Sequence, residues 1–290
     1  MSFVTVHEVG PRDGLQNEPG VISVSQKIAF IDALRDAGLK RIEIGSFVSP
    51  KWVPQMADTD AVMAGLKQMS GVQYDVLVPN KKGWDSFDAA RGQGNYGIAV
   101  FIAASEGFSR ANLNCTIAES VTRLAPVVAA AEAAGVPVRG YVSCVTDCPF
   151  VGEIAPAQVA QAVALLRNLA PMPVSLGDTI GKGTPERVAA MLDAVLDIMP
   201  ASDLAGHFHD TSGRALDNVR ASLAKGLRAF DSAAGGLGGC PYAPGAPGNL
   251  ATEALVAMLH ADGFDTGIDA EKLVAAAKMA KGMRNGADQN

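Results

Sequence analysis

The chain has 290 residues, of which 48% are hydrophobic, and it carries a formal net charge of −6 at pH 7 with a sequence pI near 5.2. This length allows one large core or two smaller domains, because a single domain usually takes roughly 100–200 residues. The acidic balance excludes a nucleic-acid-binding protein, since contact with phosphates requires a concentrated excess of Lys and Arg and the sequence has no basic run.

The N-terminal segment, MSFVTVHEVG, begins directly with the alternation of a strand. It has no charged leader followed by an apolar core, so we expect neither a secretory signal nor a transit peptide. No apolar run approaches the roughly 18 residues that a membrane span needs. We therefore expect a cytoplasmic protein without a membrane partner.

Short apolar or β-branched runs alternate with longer helical patterns from one end of the chain to the other. This alternation predicts βαβ units around a parallel sheet. Eight strands and eight helices over roughly 250 residues indicate an α/β fold, a (β/α)8 TIM barrel. The predicted strands are residues 3–9, 41–46, 73–79, 96–103, 137–143, 173–179, 204–210 and 229–235.

The sequence predicts a single domain over residues 1–290, with the barrel at 3–262 and a short C-terminal helical segment at 263–285, because no linker or low-complexity tract marks a boundary. A doubly wound open sheet is the alternative. It fits less well, since the first βα turn, residues 9–18, lacks the G-x-G-x-x-G phosphate loop. In the first helix, residues 28–38, the apolar positions expected to face the sheet are Ile28, Ile31, Leu34 and Ala37.

Polar side chains that are costly to bury follow or close six of the predicted strands. The carboxyl ends of the strands carry the catalytic residues in barrels of this kind, so we predict a single polar site at that end. The residues are Arg12 and Asp13 after the first strand, Glu43 in the second, Asn80 after the third, Asp178 in the sixth, His207, His209 and Asp210 in the seventh, and Asn249 beyond the eighth.

The segment GHFHD places two of the four histidines two residues apart. His207 and His209 share one face of a strand, while Phe208 points to the other. Two imidazoles on one wall suit a metal ion, with Asp13 and Asn249 as partners from neighbouring strands. This mixed set, with no thiolate clearly placed, favours Mg²⁺ or Mn²⁺ over Zn²⁺, although zinc tolerates similar ligands. Isolated histidines are more often structural, and we assign His7 and His260 to that class.

Arg12 stands directly before Asp13. A guanidinium beside a metal-bound carboxylate can stabilise a developing oxyanion. The alternative is a structural ion pair with Glu43 at the rim of the barrel, and both can hold if Glu43 orients Arg12.

Residues 235–249, GGLGGCPYAPGAPGN, are rich in glycine and are expected to form a mobile lid. Within it, Cys240 is either an acid/base thiol or a small hydrophobic residue, and its place in the lid favours the thiol. The four cysteines lack C-x-x-C spacing and are expected to be free thiols. No lysine is expected inside the barrel, which disfavours Schiff-base chemistry and leaves metal-assisted chemistry.

Several long motifs make the sequence resemble the 3-hydroxy-3-methylglutaryl-CoA lyase family, metal-dependent barrels related to the isopropylmalate synthases and the metal-dependent 4-hydroxy-2-oxovalerate aldolases. The resemblance implies cleavage of an (S)-3-hydroxy-3-methylglutaryl thioester of coenzyme A to acetyl-CoA and acetoacetate, as in leucine catabolism and ketone-body formation, and by analogy a homodimer. The motifs span almost the whole chain and are EVGPRDGLQNE (8–18), SFVSPKWVPQM (46–56), RGYVSC (139–144), SLGDTIG (175–181), HFHDT (207–211), GGLGGCPYAPG (235–245) and GNLATE (248–253).

The resemblance also implies residue roles. Arg12 would stabilise the enolate oxygen, and Cys240 would be the lid thiol that can protonate the carbon. The remaining implied roles are divalent metal binding by Asp13, His207, His209 and Asn249, acidic site residues at Glu43 and Asp178, and positions lining the acyl pocket at Gln16 and Ser46; Asn80 joins the substrate-binding candidates.

The general base stays open at this point. His207 is the family's usual candidate, but a nitrogen bound to a cation cannot accept a proton at the same time. Asp13, Glu43 or a metal-bound water are the alternatives.

Two departures from the family pattern concern the expected mouth of the barrel. Gly45 stands where several relatives have threonine, and Ser212 replaces a tyrosine of the animal enzymes. The acyl branch could therefore be longer than methyl, which gives a second hypothesis. A third is a condensing transferase, disfavoured because only about 40 residues follow Asn249 and such synthases often add a regulatory domain. A catalytically silent barrel would show gaps among the ligand positions, and there are none.

Overall fold

The computed structural model describes residues 2–238 and 248–286, with side chains as far as Arg284. Eight parallel strands are hydrogen-bonded in a closed barrel, and a short antiparallel hairpin lies outside it. The strands are β1 Thr5–Glu8, β2 Arg41–Ser46, β3 Gln73–Leu77, β4 Tyr96–Ala103, β5 Val138–Ser143, β6 Asp147–Cys148, β7 Gly152–Glu153, β8 Val174–Asp178, β9 Leu204–Phe208 and β10 Ala229–Ser232.

The order around the barrel is β1-β10-β9-β8-β5-β4-β3-β2, with β6 and β7 forming the hairpin. Helices follow the barrel strands, and the protein is therefore a (β/α)8 TIM barrel, as predicted. The helices within the described residues are α1 Val24–Asp36, α2 Thr59–Gly65, α3 Lys81–Ala90, α4 Glu106–Leu113, α5 Ile117–Ala133, α6 Pro156–Arg167, α7 Pro185–Leu196, α8 Ala215–Ala224, α9 Thr252–Ala261 and α10 Ala270–Gly286.

Among the described residues, one compact unit comprises 2–97, 231–238 and 249–286. It contains β1 to β3, in which His7 pairs with Arg41 and Arg41 with Gln73. A local irregularity in the β2–β3 ladder falls between Glu43 and Gly45. Its core is formed by side chains with no exposed surface, among them Phe30, Ile31, Leu34, Ile42, Tyr74 and Phe87.

The second unit comprises residues 98–230 together with 248. Its strands β5, β8 and β9 pair in parallel, so that Tyr141 lies beside Ser175 and Gly177 beside His207. The β6–β7 hairpin is fastened to the start of α7 by Arg187, which donates to the Asp147 carboxylate at 2.7 Å and to the Thr146 carbonyl at 2.6 Å.

The eight predicted barrel strands are all present, although most are one to three residues shorter at their ends. A helix follows each of the eight barrel strands, as predicted, and the described part of the chain contains ten helices because two follow β4 and α10 lies after the barrel. After β4 two helices occur, since Asn114 adopts the left-handed conformation that ends α4 and Thr116 caps α5. Of the four inward positions predicted in the first helix, Ile31, Leu34 and Ala37 are fully buried, whereas Ile28 is only half-buried and Phe30 is buried in addition.

No helix in the described ranges combines the length and apolar character required to cross a bilayer. The C-terminal helical segment predicted at 263–285 is observed as α10, preceded by α9. Cys115, Cys144 and Cys148 are buried free thiols, as expected.

Candidate active site

A single turn of π-helix, Gly10–Gly14, follows β1 and carries Arg12 and Asp13. The backbone amides of Asp13 and Gly14 donate to the carbonyl of Val9, at 2.8 and 3.2 Å. Glycine is required at both ends of the turn. A Cβ on Gly10 would lie 2.5 Å from Oε1 of Glu8, and a Cβ on Gly14 would lie 2.6 Å from Cβ of Leu237, which follows β10. The sequence GPRDG therefore forms a single π-helical turn, a geometry often found at functional sites.

Two carboxylates hold the guanidinium of Arg12. Its Nε donates to Oε1 of Glu43, and its Nη1 donates to Oδ1 of Asp13 at 2.7 Å. Glu43 is fully buried, and Arg12 is 6% exposed. Charge-assisted hydrogen bonds of this kind fix the orientation of the guanidinium. The ion pair between Arg12 and Glu43 is thus present, and it leaves Arg12 oriented at the end of β1.

Asp13 also accepts hydrogen bonds from two amide side chains. Nε2 of Gln16 lies 3.0 Å from Oδ1, and Nδ2 of Asn249 lies 2.7 Å from Oδ2. Asn249 donates further to the carbonyl of Leu237 at 3.2 Å, and its own backbone amide donates to the carbonyl of Gly238. Asp13 and Asn249 are adjacent although they stand far apart in the sequence, and the side-chain nitrogen of Asn249 donates within this network.

Glu8 is a site-proximal residue that the sequence analysis missed. It is fully buried, and its carboxylate accepts hydrogen bonds from the amides of Gly10 and Ala234, at 2.8 and 2.9 Å, and from Oγ1 of Thr252 at 2.6 Å. Burial raises the pKa of Glu8 to about 7, against the lowering effect of these hydrogen bonds. Its position at the end of a buried strand, directly before GPRDG, was the available signal.

The two histidines of GHFHD lie close together at the end of β9. Their ring centroids are 5.5 Å apart. Phe208 between them is 2% exposed, in agreement with the predicted alternation of faces. The ring of Tyr141 meets His207 edge-on, with centroids 6.1 Å apart and an interplanar angle of 86°. The imidazole pair is therefore arranged to act on a common ligand.

Asp178, the last residue of β8, is fully buried. Its carboxylate accepts from Oγ1 of Thr146 at 2.8 Å, from the amide of Gly183 at 2.9 Å and from the amide of Lys182 at 3.3 Å. Burial raises the pKa of Asp178, and the hydrogen bonds oppose that rise. The two amide hydrogen bonds tie the Asp178 carboxylate to the loop that follows β8.

Ser46 and Asn80 line a cavity of about 240 Å³ at the carboxyl ends of β2 and β3. The hydroxyl of Ser46 accepts from the amide of Val48 at 3.1 Å, and Oδ1 of Asn80 caps α3 by accepting from the amide of Gly83 at 3.0 Å. Asn80 therefore has a structural contact in addition to its place in the cavity wall.

The HMGL-like family model matches residues 4–280, which is nearly the whole chain. The chain belongs to the HMGL-like family. Among curated relatives, the hydroxymethylglutaryl-CoA lyase of Pseudomonas mevalonii is 52% identical over 93% of this chain and 89% of that protein. The 3-hydroxy-3-isohexenylglutaryl-CoA/hydroxy-methylglutaryl-CoA lyase of Pseudomonas aeruginosa is 51% identical over 94% of this chain and 90% of that protein.

Solved structures agree with this membership of the HMGL-like family. The crystal structure of the HMG-CoA lyase from Brucella melitensis has a TM-score of 0.95 and 56% sequence identity, and covers 98% of this chain and 100% of that chain. A structure of an HMG-CoA lyase from Acinetobacter baumannii in complex with coenzyme A and 3-methylmalate has a TM-score of 0.91 at 36% identity, covering 98% of this chain and 92% of that chain.

Some predicted features of this HMGL-like chain fall outside the described residues. They are Cys240 and the central part of the predicted lid, residues 239–247. The structural assignments of the two isolated histidines agree with their contacts: Nε2 of His7 lies 3.2 Å from Oδ2 of Asp75, and Nε2 of His260 lies 2.8 Å from Oγ1 of Thr266.

Proposed function

We propose that this chain is a lyase that cleaves (S)-3-hydroxy-3-methylglutaryl-CoA to acetyl-CoA and acetoacetate. The observation that carries the proposal is the 52% identity to two hydroxymethylglutaryl-CoA lyases, over 93% and 94% of this chain and 89% and 83% of those proteins. The chain also contains all three motifs that hold Arg12, His207 and Asn249, namely EVGPRDGLQNE, HFHDT and GNLATE. A CoA thioester is accordingly the substrate class.

We propose that Asp13, His207, His209 and Asn249 bind a divalent cation, Mg²⁺ or Mn²⁺. Within the part that holds β9, His207 and His209 lie together, and within the part that holds β1, Asp13 and Asn249 are hydrogen-bonded to each other. The donor chemistry fits, because a carboxylate, an amide oxygen and two imidazoles suit hard or borderline cations. Support also comes from Gln16 and Arg12, which donate to Asp13 and hold its carboxylate in place, as outer partners of metal ligands commonly do.

In the proposed reaction, the bond between C2 and C3 of the substrate breaks and the electron pair passes to a thioester enolate. A divalent cation at these ligands would lower the pKa of the C3 hydroxyl, which must lose its proton. Arg12 stabilises the enolate oxygen, and Glu43 holds the guanidinium in position for it. We propose Cys240 as the acid that protonates the enolate carbon and Asp178 as a further site acid. The base is His207, Asp13, Glu43 or a water.

The deciding experiment is a lyase assay of the purified protein on 3-hydroxy-3-methylglutaryl-CoA. We expect acetyl-CoA and acetoacetate to form with Mg²⁺ or Mn²⁺, and the rate to fall at least about a hundredfold after chelation and to return with added cation. Undiminished cleavage by the stripped protein would overturn the metal proposal. If the methyl substrate turned over poorly and a longer-branched analogue turned over well, the longer-branched thioester would be the substrate instead.

Three broader assignments are proposals that rest on the family resemblance: a homodimer, a cytoplasmic location and a role in leucine catabolism. The first is checked by light scattering coupled to gel filtration, in which we expect about twice the mass of the 29.9 kDa chain.

A further inference from the structure

Arg139 and Tyr141 form a buried pair on β5. Residues two apart on a strand share a face, and both side chains are less than a tenth exposed. Nη1 of Arg139 donates to the hydroxyl oxygen of Tyr141 at 2.7 Å. The guanidinium carbon also lies 4.8 Å from the centroid of the Tyr141 ring, within the range of a cation–π contact. These two contacts hold the phenol ring in one orientation.

The anchored ring reaches His207 across an intervening strand. β8 lies between β5 and β9, and its residue beside His207 is Gly177. A Cβ on Gly177 would lie 3.9 Å from Cδ2 of His207, so the imidazole passes over this position. Because glycine has no side chain, Tyr141 and His207 can meet there, at the perpendicular geometry that aromatic pairs prefer.

We propose that Arg139 and Tyr141 are positioning residues for the imidazole of His207. The perpendicular ring of Tyr141 restricts rotation of the imidazole about its bond to Cβ, and Arg139 keeps Tyr141 in place. A histidine that binds a cation must direct one ring nitrogen at it, and hydrogen-bonded partners that orient such a ring typically contribute about 10- to 100-fold to metal affinity. The edge contact of Tyr141 restricts the same ring rotation. The inference rests on the proposed metal-binding role of His207.

The test measures Mn²⁺ binding directly, by the electron paramagnetic resonance signal of free Mn²⁺ during titration of the intact protein. In Tyr141→Leu, which removes the ring, we expect the dissociation constant for Mn²⁺ to rise about tenfold. In Tyr141→Phe, which keeps the ring and removes the hydroxyl that accepts the Arg139 hydrogen bond, we expect a rise of roughly threefold, so that the ring rescues most of the affinity.

The matched control is Tyr96→Leu. Tyr96 is a buried strand tyrosine in β4, whose hydroxyl donates to the carbonyl of Met63 at 3.0 Å. This variant should lose thermal stability, as Tyr141→Leu does, while keeping wild-type affinity for Mn²⁺.

An unchanged dissociation constant in folded Tyr141→Leu overturns the proposal. If that variant does not fold, Tyr141→Met, which also lacks the ring, takes its place with the same expected rise, and an unchanged constant there overturns the proposal; an unchanged constant in Tyr141→Phe removes Arg139 from it. Lyase turnover of the wild type is measured separately. A wild type that binds Mn²⁺ but cleaves no thioester would refute the proposed function and leave the positioning role to be decided by the variants.

Discussion

Arg12 and Glu8 show how single side chains are tuned at the end of β1. Arg12 is oriented by one fully buried and one partly exposed carboxylate, so the direction of its guanidinium is set by the protein's own side chains. Glu8 is a carboxyl group with hydrogen-bond donors on both oxygens in a site without water access. Arg12 could be predicted from the sequence because it stands directly before the candidate metal ligand Asp13, whereas the one signal for Glu8 was its position at the end of a buried strand.

At saturating Mn²⁺, replacing Arg12 by methionine should leave the cation bound and reduce kcat by about 10²- to 10³-fold, because a preorganised donor to the enolate oxygen is lost. The measurement is steady-state turnover together with Mn²⁺ affinity. Arg91→Met is the control, since Arg91 pairs with Asp88 on α3. A near-normal kcat in Arg12→Met would contradict the assigned role.

Replacing Glu8 by glutamine should change how stability depends on pH. The folded pKa of Glu8, about 7, lies above its ordinary value of 4.5, so the native state binds the proton more tightly than the unfolded state. The resulting stabilisation is complete below about pH 4.5 and is lost as the pH rises through 7. From pH 5 to pH 8 we expect the free energy of unfolding of the wild type to fall by up to about 3 kcal/mol more than that of Glu8→Gln.

Urea unfolding at pH 5 and pH 8 measures this difference. Glu271→Gln, at an exposed position of α10, serves as the control and should follow the wild type. Parallel pH dependence in the wild type and Glu8→Gln would show that Glu8 has the same pKa in both states.

The turns that follow the strands explain which elements were predictable. The buried strands could be predicted from their apolar runs. Asp13 and Asn249 meet because they follow β1 and β10, which are neighbours in the barrel. The β6–β7 hairpin escaped prediction because two strands of two residues have no periodic pattern. The two helices after β4 escaped it because a single non-glycine residue, Asn114, makes the left-handed break between them.

Gly14→Ala should disturb the π-helical turn itself. The added methyl would lie 2.6 Å from Cβ of Leu237, so either segment has to move. We expect a loss of about 1–3 kcal/mol in stability and a weaker hold on Mn²⁺, since Asp13 is displaced with the turn. Calorimetry and the Mn²⁺ titration measure both effects.

The matched control for that variant is Gly282→Ala in α10, where the added methyl meets no atom within 4 Å and removal of a helix glycine is mildly stabilising. If Gly14→Ala behaved like Gly282→Ala, the close approach to Leu237 would be easily relieved and the turn would not depend on glycine.

At the scale of the whole molecule, the alternation of apolar strand runs with helical patterns was sufficient to predict the fold class. The strand count was predicted, and the strand order followed from closure of the barrel. What the sequence could not supply was side-chain detail that depends on distant segments meeting, such as the contact of Tyr141 with His207 across Gly177. Lid residues 239–247, with Cys240, stay a prediction.

We propose that residues 1–290 unfold as one domain. Both tryptophans, Trp52 and Trp84, lie in the first 97 residues, so their fluorescence reports on that part of the chain, whereas far-ultraviolet circular dichroism reports on all helices. In urea we expect the two transitions to coincide, as for a cooperative domain. Two separate midpoints would divide the chain into independently folding parts.

The hydrogen bonds of Glu8 also constrain biosynthesis. Its carboxylate is satisfied by Ala234 and Thr252, which stand 226 and 244 positions later in the chain. During translation the first strand emerges long before these donors exist, so the nascent N-terminus cannot reach its final hydrogen bonding until the ribosome has made nearly the entire polypeptide. A premature stop codon anywhere before Ala234 would remove both the Ala234 and the Thr252 donors to the Glu8 carboxylate. We expect such fragments to be degraded by proteases rather than to persist as partial barrels.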